Sequence, residues 1–130
     1  MKDTSLPTRG QLERRLSQKI QALYRSQLDH QTSKINCQLF EATLAIIIEE
    51  SITAPEQLLV ENGQNQLAEK VRSDLEKAIQ PQIQQVIEEV LQVSVIDFLS
   101  DAKLDTGRTG MIAVLAENPA LRHAKREKPS

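Results

Sequence analysis

Few side chains in this sequence are placed to do covalent chemistry. Cys37 is the only cysteine, so the chain can form no internal disulfide and no cysteine cluster for a metal. Of the two histidines, His30 and His123, neither has a second ligand at metal-binding spacing. Glu49-Glu50 and Glu88-Glu89 are carboxylate pairs in sequence only. Neighbours along a strand or a helix point in different directions and cannot share one substrate as acid and base. No phosphate-binding loop, dinucleotide fingerprint or Ser-His-Asp grouping occurs. Asp97 interrupts an apolar stretch and reads as a strand-edge or exposed carboxylate. Cys37, with no base near it, reads as a small buried hydrophobe. The expectation is a protein with no catalytic residue, cofactor or resident metal, and so not an enzyme.

Two groupings can still hold a ligand without reacting with it. The first is Asp105-Thr106-Gly107-Arg108-Thr109-Gly110, where backbone amides freed by Gly107 and Gly110, beside Arg108, suit a phosphate or a carboxylate. The competing reading is a wide hairpin turn, and it is the simpler one because no helix begins at this loop. The second is the basic set Arg14, Arg15, Lys19 and Arg25, which lies off the apolar stripe of its helix. That pattern suits a membrane surface or a nucleic acid, and equally a solvated face opposite a core. Beyond it, Arg122, Lys125, Arg126 and Lys128 against Glu127 give the tail a local charge of +3 with His123 neutral. The whole chain carries a formal charge of −2, with one Tyr, two Phe and no Trp. It therefore has neither the basic surplus nor the aromatic platforms of a single-strand nucleic-acid binder.

These groups must be held by a frame that the apolar spacing describes. Residues 1–7 read as a flexible start. Thr8 and Gln11 have capping-box spacing, and Leu12, Leu16, Ile20, Leu23, Tyr24 and Leu28 follow on one helical face. Gly10, poor in a helix, suggests a close backbone approach. Asp29 to Lys34 is a polar connection. Ile35, Cys37 and Leu39 alternate with Asn36 and Gln38 as in a half-exposed edge strand, and Glu41-Ala42-Thr43 turns the chain into Leu44 to Ile48. That run is apolar on both faces and belongs in the middle of a sheet. Thr53-Ala54-Pro55-Glu56 is a second capping box, opening a short helix that buries Leu58 and Leu59 and ends at Asn62-Gly63. After a long helix, Val93 to Leu99 forms a third strand, Asp101 to Gly110 a loop and Met111 to Ala116 a fourth strand. The fold class is α+β: a small, mostly antiparallel sheet packed on helices. One domain spans 8–117, with a flexible basic tail over 118–130.

The long helix covers Gln64 to Leu91. Leu67, Val71, Leu75, Ala78, Ile79, Ile83, Val86, Ile87, Val90 and Leu91 recur at steps of three and four. Glu69, Lys70, Arg72, Asp74 and Glu76 fall between them and read as solvated. Pro81 lacks the N–H that would bond the Lys77 carbonyl, so a kink is expected. At about 1.5 Å per residue the helix is longer than one small domain needs. Its excess face, Leu67, Val71, Leu75, Ile79, Ile83 and Val86, is the candidate surface for a second copy or another protein. No apolar run approaches the roughly 20 residues that span a bilayer, and the expected location is the cytoplasm.

Several stretches carry a family resemblance over roughly residues 8–117. They are Thr8-Arg9-Gly10-Gln11-Leu12-Glu13, Leu44 to Glu50, Ile52-Thr53-Ala54-Pro55-Glu56-Gln57-Leu58-Leu59, Val71-Arg72 and Phe98-Leu99-Ser100-Asp101. In this order of elements the chain resembles the bacterial MpsC-like family, named for a component of a cation-translocating, membrane-potential-generating system. It is most similar to the branch found in photosynthetic bacteria. It departs from the family in having neither Gly nor Pro in Asp29 to Lys34. The resemblance implies an accessory role beside a membrane transport system, linked to cations or to inorganic carbon, and brings no catalytic residues. The combined expectation is a non-catalytic cytoplasmic adaptor or regulator, a homodimer through the long helix and the sheet edge that binds a further protein of a membrane assembly. The alternatives are a nucleic-acid-associated factor and a sensor of a small anionic ligand.

Overall fold

A computed structural model describes residues 5–122. Helix α1 runs Arg9–Leu28, strands β1 and β2 are Lys34–Phe40 and Thr43–Glu49, and helices α2 and α3 are Ala54–Glu61 and Asn65–Leu91. Strands β3, Val95–Lys103, and β4, Arg108–Leu115, complete the chain. All strand pairs are antiparallel, in the order β1-β2-β4-β3. The apolar run of β2 therefore does lie inside the sheet, and the alternating β1 lies at its edge.

Thr8 caps α1 as its spacing requires: its hydroxyl accepts from Gln11 N at 3.1 Å and the Gln11 side chain accepts from Thr8 N at 2.9 Å. Leu12, Leu16, Ile20 and Tyr24 then face the core. There they meet Cys37 and Leu39 of β1, Leu44, Ile46 and Ile48 of β2, and Met111, Ala113 and Leu115 of β4. Ile79, Ile83, Ile87, Val90 and Leu91 of α3 close the same core. Gly10 has nothing within 4 Å of where a Cβ would sit, so it is an exposed helix position and not a close approach.

Helix α3 is unbroken across Pro81. Pro81 and Lys77 are both exposed, so water can serve the carbonyl that the proline leaves without a donor. The loop expected over Asp101 to Gly110 is mostly strand. Lys103 pairs with Arg108, Ala102 with Thr109 and Asp101 with Gly110, leaving a short turn in which Gly107 adopts φ 79°. Asp101 and Lys103 face solvent while Thr109 is buried against Ser51, so the polar and glycine-containing composition reads as a loop although the backbone is paired. Strand β3 also carries a bulge between Val95 and Asp97, which puts Ile96 into solvent. After β4 the chain keeps packing to the end of the described residues: Pro119 is buried, Leu121 touches the core, and Arg122 N donates to Pro7 O at 2.7 Å. Lys125, Arg126 and Lys128 of the expected basic tail, with His123, lie outside the described residues.

Candidate functional site

The most concentrated chemistry is a buried ion pair between the two helices after the first hairpin. Glu56 stands at the third position of α2, where a capping-box carboxylate turns back to the residue before the helix. It does so here: Glu56 Oε1 accepts from Thr53 N at 3.0 Å and from Thr53 Oγ1 at 2.7 Å. The same carboxylate takes two bonds from Arg72 of α3, Nε to Oε2 at 2.7 Å and Nη2 to Oε1 at 2.6 Å. Arg72 Nη2 also donates to Ser51 O at 3.1 Å. The Glu56 side chain is fully enclosed and that of Arg72 is 5% exposed.

Around this pair the end of the sheet is tied in through hydroxyls. Ser51 N and Oγ donate to Gly107 O at 2.8 and 3.0 Å, and Ser51 Oγ meets Thr109 Oγ1 at 2.7 Å. Tyr24 of α1 is buried close to Arg72, and burial pushes its phenol up to about 12 although the nearby guanidinium opposes the rise. Burial alone would raise the Glu56 carboxyl as well, but the Arg72 and Thr53 hydrogen bonds outweigh it and hold Glu56 below the usual carboxylate range. Glu76, one turn beyond Arg72, goes the other way: burial raises it, with Asp101 and Glu56 adding repulsion that Arg72 only partly offsets. Among the described residues Arg72 Nη1 and Glu76 Oε2 have no hydrogen-bond partner. Both residues border an open cavity of about 300 Å³ whose wall also carries Ser73 and Asp101.

Such an arrangement holds charge without offering it for reaction. Glu56 is engaged on both oxygens by cationic and neutral donors, which suppresses its basicity. Its role is to join α2, α3 and the Ser51 corner. Sequence reading took Arg72 and Glu76 as solvated and Leu58 as buried; the positions are exchanged, with Leu58 59% exposed. The available signal was Ala68, a small residue one turn before Arg72, which is buried with it.

The six residues of the expected partner face separate into two groups. Ile79 and Ile83 are buried inside this chain's own core, Val71, Leu75 and Val86 are half-buried, and Leu67 is 48% exposed. A larger apolar surface lies elsewhere, on the side of the sheet away from the helices. The registers place Ala45, Ile112 and Leu99 in one row and Ile47 beside them in the next, with Phe40 at the hairpin end. Leu99 and Phe40 are 54% and 53% exposed, and Ile47 and Ile112 are exposed with them. The two sheet edges, in contrast, are partly blocked by side chains. Glu13 Oε2 accepts from Leu39 N at 2.7 Å on β1, while Asp97 and Asp101 accept from Phe98 N and Ala102 N on β3 at 3.1 and 3.0 Å.

Gly107, Arg108 and Gly110 do not converge on a cradle. Gly107 N donates to Lys103 O at 2.8 Å, Gly110 is paired on both sides within the sheet, and Arg108 Nε lies 2.9 Å from Glu49 Oε1. Of the basic set, Arg14 and Arg15 share one cavity while Lys19 and Arg25 are outside it. Cys37 is buried, receives Ser17 Oγ at 3.5 Å, and burial pushes its thiol up, which disfavours the thiolate. Among the described residues no group of His, Cys, Asp and Glu is arranged to hold a metal ion, and no helix is long and apolar enough to cross a membrane.

Comparison with known proteins identifies a family. The family model described as Na+-translocating membrane potential-generating system (MpsC) fits residues 8–117. No curated protein and no solved structure matches the chain.

Proposed function

Because the chain belongs to the MpsC family, described as a Na+-translocating membrane potential-generating system, we propose that it serves such a system as a non-catalytic adaptor. It acts as a homodimer that binds a protein component of the membrane assembly from the cytoplasmic side. The observation that carries this reading is the outer face of the sheet, where Leu99 and Ile112 are register partners, Ile47 lies in the next row, and all three are exposed. A contiguous apolar face of this kind is what a soluble monomer avoids and an obligate interface uses. The blocked strand edges favour pairing face to face over edge to edge. The residual apolar positions Leu67, Val71 and Leu75 on α3 remain for the further protein.

Size-exclusion chromatography with light scattering on the full chain tests the dimer. The expected result is a dimer at micromolar concentration, converted to a folded monomer by Leu99→Glu with Ile112→Glu. A wild-type chain that elutes as a clean monomer at that concentration overturns the reading. Capture of a membrane component should survive Leu99→Glu with Ile112→Glu if the monomer suffices, and fail if the dimer builds the docking surface.

A further inference from the structure

The cavity of about 300 Å³ beside the buried ion pair lies between α3, which supplies Glu69, Arg72, Ser73 and Glu76, and the end of β3, which supplies Asp101. Neither the outer face of the sheet nor the apolar positions Leu67, Val71 and Leu75 contribute to its wall. Arg72 is the one cation on that wall, and Glu56 already balances its charge through two hydrogen bonds. The nearest lysine along α3, Lys70, is paired with Asp74. Glu69, Glu76 and Asp101 therefore give the cavity a negative field.

Within that field two buried atoms have no hydrogen-bond partner among the described residues. One is a donor, Arg72 Nη1, on a side chain only 5% exposed; the other is an acceptor, Glu76 Oε2. The guanidinium is fixed by Glu56 and by Ser51 O, so Nη1 cannot swing to another partner without breaking those bonds. Burial raises the Glu76 carboxyl, and Asp101 and Glu56 add repulsion that Arg72 only partly offsets, so a positive charge placed beside Glu76 relieves it.

The two atoms and the field together select a ligand. An anion would meet three carboxyl groups, and a cation without an acceptor would leave Nη1 unserved. What matches is a positively charged N–H donor on Glu76 joined to an uncharged oxygen on Arg72. The volume is at the lower end of the range of about 300–1,000 Å³ typical of small-molecule sites, so the ligand is small. We infer that this cavity binds a small primary ammonium ion carrying an uncharged oxygen acceptor, with Glu76 taking the ammonium group and Arg72 Nη1 donating to the oxygen. One chain supplies the whole wall, so the site stands apart from the dimer and from the adaptor reading.

Ethanolamine is the probe, and propylamine, which has a methyl group where ethanolamine has its hydroxyl, is the comparison. Each is titrated at constant ionic strength into the isotope-labelled full chain, followed by NMR amide shifts. Ethanolamine should give saturable shifts confined to residues 69–76 and 101–104. Propylamine should bind about tenfold more weakly, because it leaves the Arg72 donor unserved. Glu76→Gln keeps the shape of the side chain and should weaken ethanolamine binding about tenfold or more. Glu89→Gln removes the same charge from an exposed position further along α3 and should leave binding close to wild type. Asp101→Asn keeps the oxygen that accepts from Ala102 N and reads the strand side independently, with a loss of about threefold. Equal losses in Glu76→Gln and Glu89→Gln, shifts scattered over the surface carboxylates, or no saturable shift overturns the site. Equal binding of propylamine and ethanolamine overturns Arg72 as its second contact.

Discussion

The two halves of α3 carry the same apolar spacing and meet different fates. From Ile79 to Leu91 the stripe is buried as its period requires, through Ile79, Ile83, Ile87, Val90 and Leu91. From Asn65 to Ala78 the buried positions are Ala68 and Arg72, and the leucine that continues the stripe, Leu67, is 48% exposed. What each half packs on accounts for the difference. The second half lies on the sheet, a broad apolar surface that accepts any side chain of suitable size. The first half lies on α2, whose one buried residue is Glu56, and a buried carboxylate demands a donor more strongly than a leucine demands cover.

Removing the donor should therefore have the largest effect. Arg72→Leu leaves Glu56 enclosed and uncompensated, and is expected to cost about 3–5 kcal/mol in urea unfolding. Glu56→Leu combined with Arg72→Leu should recover most of that loss, since two well-packed apolar groups replace a buried pair at little net cost. If the double variant is as unstable as the single one, Ser51 and Thr53 depend on the pair for more than charge balance. In the other half, Ile83→Ala should cost about 2–5 kcal/mol through the cavity it leaves. An Ile83→Ala loss below that of a surface substitution would contradict the assignment of this half to the core.

Acid titration sharpens the contrast between Glu56 and its neighbour Glu76. Glu56 is held below its unfolded value, so its stabilisation is complete above the ordinary carboxylate range and is lost as pH falls through its lower folded value. Glu76 is raised, so the folded state keeps a proton that the unfolded chain has released, and stability declines as pH rises through that window. Glu76→Gln should then raise the unfolding midpoint at neutral pH, with the gain vanishing as pH drops below the ordinary carboxylate range. A Glu76→Gln variant less stable than wild type at neutral pH would mean that Arg72 attracts Glu76 more than burial penalises it. The smallest effect belongs to Leu67→Ala, expected within about 0.5 kcal/mol in dilute solution. A larger loss that grows with protein concentration would place Leu67 in an interface.

By sequence alone, this chain determined its element order, its fold class and the capped start of α1. Each rests on contacts within a few residues: the Thr8 to Gln11 box, the three-and-four spacing of α1, the alternation of β1. The central place of β2 was readable for a related reason, because a strand apolar on both faces has few other positions open to it. Tertiary structure decided which side of α3 turns inward before Ile79, since Arg72 and Leu67 compete for that side and Glu56, 16 residues earlier, settles it. It also decided that Asp101 to Lys103 and Arg108 to Gly110 are paired strands, and that the chain returns at Arg122 to Pro7. No local period records a partner that arrives from the far end of the chain.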